Sequence, residues 1–275
     1  MLLVLKATII AAASLYAIAA TAMYAAQRRF IYFPDPARVT PTEAGLSGVS
    51  EVIIPTPDGQ KLVAWYGKAK AGQPTLLYFH GNGGSLALRS ETIRRYLDRG
   101  RGMFMMAYRG YSGSTGSPSE AANVADAKLA YDALVKDGVP PDDIILYGES
   151  LGSGVAIQVA QEKKVAALIL DSPYTSILEL AIAQYPWLPV RLLLKDRYES
   201  IRYIGDVHVP IFILHGEADD VVPVEMARRL FAAANEPKEI RTMPGAGHVI
   251  HDGPSFEYVD DWIERLRAGQ FAPRG

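Results

Sequence analysis

Apolar residues along this chain fall into short runs separated by longer amphipathic stretches. Runs at 51–54 and 61–66 flank Pro57-Asp58-Gly59, a strong turn signal, and predict an antiparallel hairpin. Six further runs, at 75–79, 103–107, 144–147, 166–170, 210–214 and 239–243, have the length of buried strands. Helical patterns lie between them. A polar-faced one ends near Arg99 and Gly100, and 120–136 carries Val124, Ala127, Tyr131, Leu134 and Val135 at three- and four-residue steps. Others cover 151–161, 224–234 and 255–267. Strands alternating with helices predict the α/β class: a mostly parallel sheet of about eight strands with helices on both faces. Residues 174–209 break the rhythm with Tyr185-Pro186-Trp187-Leu188-Pro189 and a Leu192-Leu193-Leu194 run. They predict a short helical cap inserted over the sheet edge.

The N-terminus follows a different rule. Between Leu2 and Ala26 the only charge is Lys6, and residues 7–26 match the ~20 apolar residues needed to cross a bilayer as a helix. Tyr24, Arg28 and Arg29 are suitable interface anchors. Ala20-Thr21-Ala22 resembles a signal-peptidase site, so a cleaved signal is the rival reading. We expect an uncleaved single-pass membrane anchor over 1–29 and one α/β domain over 30–275, with its cap at about 174–209. Residues 30–50 read as an extended tether packed on that domain. The positive-inside rule favours a cytoplasmic domain by a small margin, since Lys6 and the amino terminus nearly balance the arginine pair.

Composition narrows the chemistry. The 275 residues are 49% hydrophobic, enough for a substantial core, and the formal net charge is −2 with no basic stripe, so nucleic acid is not an expected partner. There is no cysteine, which excludes disulfides, thiolate catalysis and cysteine-held metals. No H-E-x-x-H or carboxylate cluster suggests a catalytic metal. The glycine loop His80-Gly81-Asn82-Gly83-Gly84-Ser85 lacks the Gly-Lys-Ser/Thr of a P-loop. It also has Leu86 where a dinucleotide fingerprint needs glycine. We expect no cofactor.

What remains is nucleophilic chemistry. Gly148-Glu149-Ser150-Leu151-Gly152 joins a strand to a helix, and a serine on such a turn points its hydroxyl out of the sheet. A serine hydroxyl needs a base, usually histidine. His248 follows the last strand in a glycine-rich loop, with His251 as the backup. His80, His208 and His215 read as structural. An acid must orient the imidazole: Asp219, Asp220 and Asp171 all follow strands, and the spacing of His215-Gly216-Glu217-Ala218-Asp219 with Val222-Pro223 favours Asp219. The oxyanion would be held by the N–H groups of Leu151 and Asn82, with Gly81 and Gly83 as alternatives to Asn82. Parallel sheets bind ligands at the carboxyl ends of their strands, which would gather these residues at one edge.

These residues resemble the α/β-hydrolase superfamily, and within it the membrane-anchored Bem46-like and ABHD13-like hydrolases grouped with the serine-aminopeptidase-like S33 domain. The matching pieces are the apolar N-terminal helix, the glycine loop, Tyr108-Arg109-Gly110-Tyr111, the Ser150 turn, Leu170-Asp171-Ser172-Pro173, and the Asp219 loop. The resemblance implies a serine hydrolase with nucleophile Ser150, acid Asp219 and base His248. Ala107 departs from the pattern, which usually has an acidic residue before Tyr-Arg-Gly. We expect hydrolysis of carboxylic esters or thioesters, with a small-molecule, lipid or acyl-protein substrate in a pocket formed by Leu180, Ile182, Tyr185, Trp187, Leu188 and the leucine run. The alternatives are an aminopeptidase-like amide hydrolase and a non-catalytic membrane-tethered scaffold.

Overall fold

A computed structural model describes residues 1–248 and 253–271. Eight strands form one sheet: β1 (Val49–Pro55), β2 (Lys61–Gly67), β3 (Thr75–Phe79), β4 (Gly102–Met106), β5 (Ile144–Glu149), β6 (Ala167–Asp171), β7 (Ile211–Gly216) and β8 (Lys238–Met243). Their spatial order is β8-β7-β6-β5-β3-β4-β2-β1. Only the pairs β1–β2 and β2–β4 are antiparallel; all other neighbours are parallel. The central strands β3, β5, β6 and β7 are buried along their full length. That is why they read as continuous apolar runs rather than as alternating ones.

Parallel neighbours need crossover helices. These are α2 (Ser90–Asp98), α3 (Glu120–Lys136), α4 (Leu151–Glu162), α8 (Val224–Ala233) and, after β8, α9 (Gly253–Arg267). Helices α2 and α9 share one face, where Tyr96 packs on Phe256 at 4.9 Å and Arg99 bonds Glu257 at 2.8 Å. Helices α3, α4 and α8 belong to the other. Ser119 caps α3 by accepting a hydrogen bond from the Ala122 N–H at 3.1 Å, so the helix starts where the amphipathic pattern starts.

Between β6 and β7 lie α5 (Ile177–Gln184), α6 (Val190–Leu193) and α7 (Ser200–Tyr203). Helix α7 packs against α4 and α8, while α5 and α6 stand over Ser150. The insertion therefore covers the carboxyl ends of the strands, and does not simply lie along the sheet edge.

Helix α1 (Leu2–Ala26) buries none of its residues, yet the chain around its end is fixed to this insertion. Gln27 donates to the Leu193 carbonyl at 3.2 Å and accepts from the Lys195 N–H at 2.7 Å. Arg28 makes two bonds to Asp196, at 2.8 and 3.2 Å. Tyr32, buried, bonds Tyr198 at 3.0 Å and Asp196 at 3.2 Å. Arg28 is thus a structural partner of the insertion as well as a flanking charge. The segment at 30–50 is tied down too: Phe33 and Pro34 pair in parallel with Gly83 and Gly84 of the glycine loop.

Candidate active site

Strand β5 ends at Glu149 and α4 begins at Leu151, so the whole change of direction falls on Ser150. Its backbone has φ 48° and ψ −114°, a conformation that costs a residue with a Cβ about 1–3 kcal/mol. The Ser150 N–H donates to the Asp171 carbonyl at 2.8 Å, which ties the turn to the neighbouring strand. The flanking glycines serve close approach. A Cβ on Gly152 would lie 2.0 Å from the Phe79 carbonyl oxygen, and one on Gly148 would lie 2.6 Å from the Gly152 carbonyl oxygen. Both obstacles are backbone and cannot move aside, so only glycine lets α4 sit this close to β3 and β5.

Ser150 Oγ lies 2.9 Å from His248 Nε2, and His248 Nδ1 lies 2.7 Å from Asp219 Oδ2. The loop after β8 carries His248 over the end of β7. There the Glu217 N–H donates to Met243 and the Ala218 N–H to Ala246, both at 2.9 Å. Gly216 permits this layering, since a Cβ there would lie 2.2 Å from the Gly247 carbonyl oxygen.

Asp219 is held from four sides. Its Oδ1 accepts the N–H groups of Val221 at 2.9 Å and Val222 at 2.8 Å. Its Oδ2 accepts from His248 and stands 3.2 Å from His215 Nε2. Burial alone would raise this carboxyl group. The hydrogen bonds from His215, His248 and Val222 outweigh it and hold the carboxyl well below the usual range. Asp219 is therefore ionised at neutral pH.

The other candidates lie elsewhere. Asp171 is fully buried and accepts from Tyr147 at 3.1 Å and from Ser172 at 3.2 Å. Asp220 is exposed on the rim of the cavity. His251 lies outside the described residues. His80 is buried against Tyr108 and Tyr111; its Nδ1 donates to the Gly81 carbonyl at 2.7 Å and its Nε2 accepts from the Tyr108 N–H at 3.4 Å. Burial, helped by the nearby Arg89 charge, lowers it to about 3, so it stays neutral. His208 is near Asn235, at 3.3 Å and far from this centre in the fold. His215, which reads as structural in the sequence, is buried beside the acid: its Nε2 donates to the Val222 carbonyl at 2.8 Å and stands 3.2 Å from Asp219 Oδ2. Its place at the end of a strand, four residues before the acid, was the available signal.

Asn82 and Leu151 both line the cavity that holds Ser150 and His248. Leu151 opens α4, where a first-turn N–H has no acceptor within the helix. The Asn82 backbone is positioned through its carbonyl, which accepts from Phe33 N–H at 2.8 Å and Tyr111 hydroxyl at 2.7 Å. Gly81, an alternative donor, is already committed: its N–H donates to Glu149 Oε1 at 3.0 Å.

That carboxylate is a feature the sequence reading passed over. Glu149 precedes the serine, and its buried side chain accepts from Tyr78 at 2.6 Å and from Arg89 at 2.7 Å. Arg89 also donates to the carbonyls of Gly83 and Ser85, at 3.2 Å each. One buried ion pair thus binds the Ser150 turn to the glycine loop. We expect Arg89→Met to lower stability by about 3 kcal/mol, because it strands a buried carboxylate. Tyr78 and Gly81 still satisfy part of that carboxylate, which places the loss at the low end of the usual range. Adding Glu149→Gln should restore most of it, as read from urea midpoints.

The cavity has a volume of about 620 Å³, within the ~300–1,000 Å³ typical of small-molecule sites. Of the residues expected to form an acyl pocket, Leu180, Tyr185, Leu188, Leu193 and Leu194 line it, whereas Ile182, Trp187 and Leu192 do not. Met23, Tyr24 and Gln27, from the end of the N-terminal apolar segment, line it as well. Among the described residues, no group of His, Asp and Glu side chains is placed to hold a metal ion.

A family model described as the alpha/beta hydrolase fold matches residues 74–198, and one described as serine aminopeptidase, S33, matches residues 193–254. An uncharacterised protein of Mycobacterium tuberculosis is 40% identical over 231 residues, covering 83% of this chain and 82% of its own. Protein bem46 of Schizosaccharomyces pombe is 29% identical over 282 residues, covering 94% of this chain and 93% of its own. Among solved structures, an esterase from Pyrococcus furiosus superposes with a TM-score of 0.64 at 23% identity, covering 86% of this chain and 96% of that one. At that identity the structural likeness speaks to the fold alone.

Proposed function

The chain belongs to the α/β-hydrolase superfamily, and from that premise we propose that it is a serine hydrolase that cleaves carboxylic esters or thioesters through an acyl-serine intermediate. The observation that carries this reading is the unbroken relay from Ser150 Oγ through both nitrogens of His248 to Asp219, opening on a largely apolar cavity.

The chemistry follows from that relay. His248 Nε2 accepts the hydroxyl proton as Oγ adds to the substrate carbonyl carbon. The resulting oxyanion is held by the N–H groups of Leu151 and Asn82. The bond to the alcohol or thiol then breaks, and the leaving group takes the proton from His248. Water repeats the sequence: it gives a proton to His248, attacks the acyl carbon, and frees the carboxylic acid as the proton returns to Ser150. Asp219 stays ionised throughout and stabilises the imidazolium. In this reading residues 1–29 are an uncleaved single-pass anchor, and 30–275 form the hydrolase domain with a cap at about 174–209.

The S33 match over 193–254 favours a second reading, amide hydrolysis at a peptide amino terminus. Such a substrate needs an acidic partner for its ammonium group, and among the described residues Asp220 is the carboxylate that lines the cavity. One experiment separates the readings. The full-length chain is offered a fluorophosphonate probe, then p-nitrophenyl esters, acyl-CoA thioesters and aminoacyl anilides. We expect labelling and turnover of an ester or thioester. Preference for aminoacyl anilides over every ester, abolished by Asp220→Asn, would favour the peptidase. A folded protein that does not label would favour a non-catalytic scaffold.

A further inference from the structure

The end of α1 does more than tether. Met23 and Tyr24 in its last turns, with Gln27 just beyond, line the same cavity as Ser150 and His248. They are held there by specific contacts. Lys195 sits 4.3 Å above the Tyr24 ring, and Gln27 is bonded twice to the chain of the cap. About two turns earlier, Tyr16 donates to the Trp187 carbonyl at 3.1 Å, with the two rings 6.4 Å apart. Phe30 meets Tyr185 in the same edge-to-face manner. Taken as a whole, the 25 residues of α1 form an apolar helix with no buried residue, long enough to cross a bilayer.

The surface around this junction has the character of a membrane interface. Trp187 is 52% exposed, Leu192 83% and Phe30 51%. Arg29, Arg191 and Lys195 are exposed among them, whereas the nearby acid Asp196 is buried and paired with Arg28. Apolar and aromatic side chains interleaved with cations match the boundary between acyl chains and phosphate headgroups. If α1 crosses the bilayer, this surface lies at its edge, and so does the wall that α1 gives to the cavity.

We propose that α1 and the cap together form an acyl-chain site that is loaded from the bilayer, so that the substrates are long-chain acyl esters of membrane phospholipids. This rests on the serine-hydrolase reading and narrows it. Ser150 would attack the ester carbonyl while the acyl chain lies along Met23 and the cap helices α5 and α6 and the phosphate stays beside Arg29, Arg191 and Lys195. The ester bond breaks to release a lysophospholipid, which takes the proton from His248. Water then frees the fatty acid.

The test uses the full-length chain in nanodiscs of palmitoyl-oleoyl phosphatidylcholine and phosphatidylglycerol, three to one. Fatty-acid release is followed by mass spectrometry, with Ser150→Ala as the blank. The same preparations are assayed on p-nitrophenyl butyrate and palmitate and on a palmitoylated peptide. Met23→Trp fills the cavity from the α1 wall, Ala183→Trp fills it from the cap, and Ile9→Trp alters α1 away from the cavity. We expect Ser150-dependent release of fatty acid from the nanodisc lipid. Each methylene kept from an apolar wall costs about fourfold in binding. The palmitate-to-butyrate ratio should therefore fall at least about tenfold in Met23→Trp and Ala183→Trp and stay within about twofold in Ile9→Trp. Because the ratio is taken within one preparation, partial misfolding does not imitate the result. Ser150-dependent butyrate hydrolysis with an unchanged ratio in both cavity variants would overturn the acyl site and leave the hydrolase reading standing. Turnover of palmitoylated peptides without release from lipid would overturn the substrate class. Absence of Ser150-dependent hydrolysis on every ester would overturn both.

Discussion

We expect Ser150→Ala to abolish fluorophosphonate labelling and to lower kcat by about 10⁶-fold, the usual loss when a serine nucleophile is removed. The fold should survive. Alanine meets the same backbone strain at φ 48° that serine does, and the serine side chain makes no capping bond to α4. Stability should therefore change by no more than about 0.5 kcal/mol. Ser150→Gly provides a sharper reading. It is equally inactive, but glycine adopts this conformation freely, so the variant should be more stable than wild type by about 1 kcal/mol after its own entropy cost. Activity assays with thermal or urea denaturation measure both. A Ser150→Gly protein that is inactive and less stable would show that the turn is not strained in the way its dihedral angles indicate.

Asp219→Asn should lower kcat by about 10⁴-fold, because an amide cannot stabilise the imidazolium and imposes the wrong tautomer on His248. Asp171→Asn should leave most of the activity, since that side chain bonds Tyr147 and Ser172 and does not reach the imidazole. Equal losses in the two variants would remove Asp219 from its assigned role. The pH dependence of stability distinguishes them as well. The Asp219 carboxyl is held below its unfolded value, so its contribution is complete above pH ~4 and is lost as pH falls further. Asp219→Asn should flatten that part of the acid unfolding curve. His215→Gln tests the support of the acid loop: it loosens the bond to the Val222 carbonyl and the contact with Asp219 Oδ2, so kcat should fall while the carboxylate remains.

The strands were legible because the sheet is parallel and buried on both faces, which leaves nearly continuous apolar runs such as Leu76 to Phe79. Helix α3 was legible over its exact span because Ser119 caps it and its apolar stripe meets the sheet. That Ser150, Asp219 and His248 meet was legible because each follows a strand, and a parallel sheet brings strand ends to one edge. His215 and the pair Arg89–Glu149 were not. Their roles depend on partners 4 and 60 residues away whose side chains meet only after the sheet is assembled. Nothing in a local pattern separates a histidine that steadies an acid from one that fills a core.

By itself, the order of apolar runs, turns and small residues determined the α/β class, the strand–turn–helix around Ser150 and the apolar length of α1. These are properties of local spacing, set by helix and strand periods and by where a Cβ is tolerated. Only the tertiary structure decided which of three aspartates faces the imidazole, which N–H groups of the glycine loop are already committed, and that Met23 and Tyr24 share a cavity with Ser150. Those depend on distances between segments far apart in the chain, and packing sets such distances.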